Sequence, residues 1–219
     1  MRDIFAKQLD ELYVSVKDMG ILCEKAIEKA AKTILSNDKN EDNYVALVKE
    51  VDDCEKEVDR KEREVENLCM RLLLHQQPVA SDLRTVSSAL KLISDMERIG
   101  DQASDITELS KYIRNCSLHH KLHLSEMFSE TIGLVKNAVD SFSNHDLDKA
   151  KEAIEGDDKI DGLFNKVKSE LVAIIKGDTD AELCIDLLMV AKYLERIGDH
   201  AVNIAEWVVY SIEGVHKDI

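Results

Sequence analysis

Proline and glycine are scarce in this chain, with one proline and eight glycines among 219 residues. Such a composition excludes collagen-like and proline-rich proteins. It also disfavours a β-sandwich, whose many short strands need regularly spaced turn residues. Hydrophobic residues nevertheless make up 44% of the chain, which predicts a folded protein rather than a disordered one. The length suits one large domain or two small ones.

Long apolar runs are also missing. Seven charged residues fall within the first twenty, so no signal-peptide core is present there. No run approaches the roughly 20 apolar residues that cross a bilayer. The five cysteines form no C-x-x-C pair and are odd in number, which indicates free thiols in a reducing compartment. We therefore expect a cytoplasmic protein.

Basic residues are outnumbered, since 44 acidic residues face 29 basic ones and the formal charge is −15. Nucleic acids and anionic lipid surfaces repel such a chain, so neither is expected as a direct partner. A cation-binding surface or a basic protein partner fits better. Common catalytic motifs are absent as well: the chain has no phosphate-binding loop, no nucleophile elbow and no H-E-x-x-H sequence. A ferritin-like di-iron centre needs a Glu-x-x-His motif on each of two core helices. The chain has only one, Glu213 to His216, so such a centre is excluded.

The apolar residues recur at alternating spacings of three and four along the whole chain, which predicts six long helices and no strand. The breaks fall at 37–40, near Pro78, at 115–117, at 143–146 and near Gly177. Ser81 is expected to cap the third helix. Gly177 is expected to end the fifth in the left-handed conformation, and Thr179 with Glu182 to form a capping box for the sixth.

The third and sixth predicted helices share a sequence. Residues 97–101 read E-R-I-G-D, and so do residues 195–199. Weaker matches relate the other helices of the two halves. The sequence therefore predicts an all-α fold, a tandem repeat of two three-helix bundles with six long antiparallel helices. The predicted boundaries are 1–116 and 117–219.

Several glycines lie inside predicted helices, although a glycine there costs about 1 kcal/mol relative to alanine. Four of them are Gly20, Gly100, Gly133 and Gly198. Close contact between helices is the ordinary reason for such a position, and we expect it at all four.

Acidic residues spaced i, i+4 recur on equivalent helices of both halves. The pairs are Glu55/Asp59 and Glu97/Asp101 in the first half, and Asp157/Asp161 and Glu195/Asp199 in the second; Asp105 and Asn203 occupy the next turn. Residues four apart share a helix face, and like charges at that spacing weaken the helix. A bound cation would reverse that effect, and clustered carboxylates suit Ca²⁺, Mg²⁺, Mn²⁺, iron or zinc. About nine such pairs would arise by chance, so ion pairing with Arg98 or Arg196, or a purely structural network, stays open.

Three segments give the chain its resemblance to a known family: the two E-R-I-G-D copies, and Q-P-V-A-S-D-L-R at residues 77–84. With these residues the sequence resembles the PhoU family of phosphate-specific transport system accessory proteins. The resemblance implies a cytoplasmic negative regulator of phosphate uptake and phosphate-starvation signalling. Its implied partners are the ATPase subunit of the phosphate importer and the phosphate-sensing histidine kinase, so it would meet the membrane only through them. A homodimer is left open, and nucleic acid is not implied.

The resemblance also implies multinuclear metal clusters, iron or zinc among them, on Glu/Asp-x-x-x-Asp motifs. Those motifs fall on the four acidic pairs given above. Asp105 and Asn203 are weaker candidates, and the neutral Asn203 implies a less strongly bound cation in the second half. No enzymatic activity is expected. The alternatives are a metal-dependent phosphohydrolase using two bridged cations and a helical adaptor without metal.

Overall fold

The structure is a computed structural model that describes residues 2–36, 38–177 and 180–215, without the side chains of residues 2, 3 and 76. Over these ranges it contains six α-helices, one short 3-10 helix and no strand. The helices are α1 (Arg2–Leu35), α2 (Glu41–Gln76), α3 (Ser81–Ile113), α4 (Leu124–Asn144), α5 (Leu147–Ile175) and α6 (Ala181–Glu213), with the 3-10 helix at Leu118–Lys121. The predicted all-α fold is confirmed.

Polar side chains cap three of the helices at their N-termini. Asn40 accepts a hydrogen bond from the backbone N–H of Asp42 at the start of α2. Asp146 accepts one from Lys149 at the start of α5. Asp180 caps α6, whereas the predicted cap Thr179 lies outside the described residues. In each case a carboxylate or amide oxygen satisfies a backbone donor that the helix itself leaves unpaired.

Two predicted helix ends are wrong. Ser81 is the first residue of α3 and not its cap; the capping position is Ala80, with φ 48° and no side-chain hydrogen bond. Gly177 does not adopt a left-handed φ. Instead α5 ends through right-handed Lys176, and the Gly177 N–H donates to the Ile174 carbonyl, 3.0 Å away. That short bond closes the helix without the conformational freedom of glycine.

The helices pack in two sets of three, and the two sets share one core. Helices α1, α2 and α3 contact one another, while α4 and α5 both contact α6 and each other. The most extensive packing is between α3 and α6, and α1 also packs against α4, so the halves are joined along two helix pairs. Buried apolar residues from all six helices form one continuous cluster. The predicted boundary at 116/117 falls in the connection between α3 and α4.

No helix among the described residues is both long enough and apolar enough to cross a membrane.

The mid-helix glycines differ in what surrounds them. A Cβ at Gly20 would lie 2.4 Å from Val139 Cγ1, so α1 and α4 approach closely there. A Cβ at Gly100 would lie 3.4 Å from Val58 Cγ1, and one at Gly198 would meet the side chains of α5. The expected close contact is confirmed at Gly20 and Gly198, whereas a Cβ at Gly100 would make an ordinary van der Waals contact. The expectation is wrong at Gly133, where a Cβ would meet nothing within 4 Å.

This difference predicts opposite effects for two alanine substitutions. Gly20→Ala should destabilise the protein by about 1–3 kcal/mol, because the methyl group overlaps Val139 in a packed interface. Gly133→Ala should stabilise it by about 0.5–1 kcal/mol, because alanine favours the helix and the space is open. Urea unfolding of both variants measures the changes. Equal effects of the two substitutions would contradict this account of the α1–α4 contact.

Candidate metal centre

Helices α2 and α3 bring the predicted acidic residues of the first half together. One carboxylate oxygen from each of Glu55, Asp59 and Asp101 lies within 4.8 Å of the other two. Glu97, one turn before Asp101 on α3, also interacts with Asp101 and Asp59. Four residues predicted from two separate helices therefore form one cluster.

The electrostatics of this cluster favour a cation. Partial burial raises the pKa of Glu55, and the neighbouring Asp59 and Asp101 carboxylates raise it further. The pKa of Glu97 is raised by burial and then by Asp101. Burial and Asp59 likewise raise the pKa of Asp101. Burial is the larger cause of each raised pKa, and the neighbouring carboxylates add to it; a bound metal ion would favour the ionised forms against both effects.

Glu62 belongs to the same cluster, although the pairwise pattern missed it. Its Oε1 accepts a hydrogen bond from the Ser94 hydroxyl at 3.3 Å, and it interacts with both Asp59 and Glu97. Its spacing from Glu55 is seven residues, two helical turns, which could have revealed it. We call Glu55, Asp59, Glu62, Glu97 and Asp101 the first acidic face.

Helices α5 and α6 carry the corresponding cluster, which we call the second acidic face: Asp157, Asp161, Glu195 and Asp199. Burial raises the pKa of Asp157 to about 6, and Asp161 and Asp199 add to the rise. The pKa of Asp199 is raised by burial and then by Glu195. All four predicted pair members of the second half thus interact across the two helices.

Gly198 makes room for the Asp157 carboxylate. A Cβ at position 198 would lie 2.9 Å from Asp157 Oδ1. That oxygen is buried and accepts no hydrogen bond within the described part of the chain. An unsatisfied buried carboxylate oxygen is costly, so its presence here fits an atom that coordinates a cation.

Asp105 and Asn203, the two weaker candidates, both make contacts at the α3–α6 interface. Asn203 Nδ2 donates to Asp95 Oδ1 at 3.2 Å, and His200 Nδ1 lies 2.8 Å from the same oxygen. The Tyr193 hydroxyl donates to Asp105 in the equivalent contact from α6 to α3. Asn203 thus uses its amide nitrogen between the two halves, and its assignment as a weaker metal ligand stays a prediction. Asp105 also interacts with Asp101 and lies at the edge of the first acidic face.

The arginine alternative is not supported by the observed ion pairs. Arg98 Nη1 lies 4.0 Å from Asp95, and among the described residues neither Arg98 nor Arg196 forms an ion pair within 4.0 Å with either acidic face. The first acidic face therefore lacks an arginine partner at contact distance. Its donor set consists entirely of carboxylate oxygens, which suit iron, Mn²⁺, Mg²⁺ or Ca²⁺.

The fold and these sites together define an all-α tandem-repeat protein with one acidic face on each repeat. The family model described as the PhoU domain matches this chain twice, at residues 16–110 and 124–208. The chain therefore belongs to the PhoU family.

Relatives cover nearly the whole chain. The phosphate-specific transport system accessory protein PhoU homolog of Clostridium acetobutylicum is 33% identical over 222 residues, which is 100% of this chain and 98% of that protein. The homolog of Pseudomonas aeruginosa is 32% identical, covering 96% and 86%. The crystal structure of the phosphate transport system regulatory protein PhoU from Streptococcus pneumoniae superposes with a TM-score of 0.86 and 26% identity, covering 98% of this chain and 100% of that one. These names describe accessory and regulatory proteins of phosphate transport.

The raised pKa of Asp157 predicts a pH-dependent effect of Asp157→Asn on the metal-free protein. Because the folded value is about 6 and the unfolded value is near 3.8, the ionised carboxylate destabilises the folded state increasingly as pH rises through that window. The variant should be more stable than the unsubstituted protein at pH 7.5, by roughly 1 kcal/mol after allowance for solvent screening. At pH 3.5 the difference should vanish.

Urea unfolding with a chelator present at both pH values tests this. The matched control is Glu152→Gln, since Glu152 is exposed on the same helix and is not among the charges that raise the Asp157 pKa. A gain in stability of Asp157→Asn that is the same at both pH values would contradict the electrostatic explanation.

Proposed function

We propose that this protein is a non-enzymatic, metal-bearing negative regulator of phosphate uptake and phosphate-starvation signalling. Its family and the names of its relatives support a regulatory role in phosphate transport. The main support for a metal site is the convergence of Glu55, Asp59 and Asp101 from two helices. In this proposal it acts in the cytoplasm by contact with the importer ATPase and the phosphate-sensing histidine kinase.

The two acidic faces would hold the metal. In the first face Glu55, Asp59, Glu62, Glu97 and Asp101 are the candidate ligands, with Asp105 at its edge. In the second, Asp157, Asp161, Glu195 and Asp199 take that role. Iron fits the carboxylate donor set best; zinc, which more often takes nitrogen or sulfur ligands, is the other metal we consider. A bound ion would cancel the repulsion between carboxylates and offer positive charge to an anionic group.

The helices would serve as a rigid scaffold for partner proteins. Outside the acidic faces the surface stays acidic, because the chain carries a formal charge of −15. That charge favours basic surfaces on a partner and accelerates their encounter. Contact with the membrane would then be indirect, through the importer and the kinase.

Retention of metal provides the first test. Protein purified without a metal-affinity tag or chelator should contain iron or another di- or trivalent metal by elemental analysis. Asp101→Asn should lower the metal content and weaken Mn²⁺ binding by about tenfold or more, because it removes one of three converging carboxylates. Asp53→Asn, an exposed substitution on α2 outside the cluster, is the control. Protein that contains no metal and binds none would leave the metal-free adaptor as the better description.

Complementation tests the regulatory role. A bacterium that lacks its own PhoU protein should regain low phosphate uptake and low expression of a phosphate-starvation reporter in phosphate-rich medium when it produces this chain. The double variant Asp101→Asn/Asp199→Asn should restore both less well, and co-purification with the importer ATPase and the kinase should weaken in parallel. Hydrolysis of a phosphomonoester by the purified protein, abolished by the same double variant, would instead indicate the metal-dependent phosphohydrolase.

A further inference from the structure

The repeat allows the two acidic faces to be compared position by position. Around the acidic pairs, α6 residues follow their α3 equivalents by 98 positions, as Glu195 follows Glu97. Residues of α5 follow their α2 equivalents by 102 positions, as Asp157 follows Glu55. Each side chain of one face therefore has a defined counterpart in the other.

Two counterparts that contact the carboxylates differ in charge. A third pair, Lys56 and Asp158, also differs, but both side chains are exposed and Lys56 forms its ion pair with Asp52. In the first face, the Ser94 hydroxyl on α3 donates to Glu62 on α2. In the second face, the position of Ser94 is taken by Lys192 and that of Glu62 by Phe164. A neutral donor and a carboxylate are thus replaced by an ammonium group and an aromatic ring.

The ammonium group of Lys192 lies beside the second acidic face. Its Nζ forms an ion pair with Glu195, one turn along α6. It also lies 5.5 Å from the centroid of the Phe164 ring, within the range of a cation–π contact. The same ammonium group lowers the pKa of Asp199, against the larger effects of burial and Glu195. Lys192 therefore partly neutralises two of the four carboxylates there.

We propose that Lys192 is a built-in counter-ion of the second acidic face, so that the first acidic face is the stronger cation site of the two. This inference rests on the proposed metal binding. Formally the first face carries five carboxylates and a charge of −5, and the second carries four carboxylates and one ammonium, a charge of −3. This difference of two charges does not involve the neutral Asn203, whose amide nitrogen donates to Asp95.

Exchange of the two counterpart side chains tests the inference. Lys192→Ser gives the second face the serine of the first, and Ser94→Lys does the reverse on an exposed position. Lys168→Ser and Ser125→Lys are charge-matched controls on exposed positions of α5 and α4. Mn²⁺ is titrated into metal-stripped protein by calorimetry, with Asp101→Asn and Asp199→Asn used to assign the stronger and the weaker site.

We expect Lys192→Ser to strengthen Mn²⁺ binding at the second face by about tenfold and to leave the first unchanged, because one competing unit charge is removed nearby. Ser94→Lys should weaken the first face by a similar factor. The two controls should change neither site by more than about twofold, since salt screens charges at exposed positions.

A metal-free measurement distinguishes failure of this inference from failure of the proposed function. In chelator at pH 7, Lys192→Ser should unfold at lower urea concentration than Lys168→Ser, because it exposes the carboxylates of the second face to unrelieved repulsion. Ser94→Lys should unfold at higher urea concentration than Ser125→Lys. If no variant binds Mn²⁺ yet these differences appear, the metal function fails and the counter-ion role stands. Equal urea midpoints of each variant and its control would overturn the proposal. So would measurable Mn²⁺ binding at the second face that is equally strong in Lys192→Ser and Lys168→Ser.

Discussion

The apolar core holds neighbouring helices at separations that force acidic side chains together, and both acidic faces depend on that constraint. Each acidic face joins two helices whose opposite sides are buried in the common core. Residues such as Val58 and Ile160, one position before Asp59 and Asp161, are completely buried. The apolar contacts therefore fix the distance between the helices, and the acidic side chains must accept whatever separation results. The folded chain thus stores an electrostatic cost that a cation can relieve.

Glycines at equivalent positions of α3 and α6 face the neighbouring helices α2 and α5. Gly198 lies against both Ile160 and Asp157, and a Cβ there would come within 2.9 Å of Asp157 Oδ1. A larger residue would separate α5 from α6 or displace the Asp157 carboxylate. Gly100 lies against Val58, where a Cβ would make ordinary van der Waals contact at 3.4 Å. Packing therefore explains the glycine of the second E-R-I-G-D sequence, and the site depends on it as well.

The α3–α6 interface joins the two acidic faces through a pair of related polar contacts. Asp95 on α3 receives hydrogen bonds from α6, and Tyr193 on α6 donates to Asp105 on α3. Each contact lies within a turn or two of a candidate ligand. Helix α3 carries ligands of the first face and α6 carries ligands of the second. The halves of the chain therefore form one structural unit with a shared core.

The sequence by itself determined the helices, the internal repeat and the acidic pairs, because helical periodicity and i, i+4 spacing depend only on positions along one chain. It also predicted correctly that Glu55, Asp59 and Asp101 would meet. Only the tertiary structure decided which side chains of the neighbouring helix contact each acidic face. Glu62 lies beside Asp59 and Glu97, Asn203 bonds to Asp95, and Lys192 lies over Phe164, because these contacts depend on how each helix is rotated about its axis and how far it is shifted along its neighbour. Periodicity fixes which side chains share a face of one helix, but the packing of the whole core selects their partners.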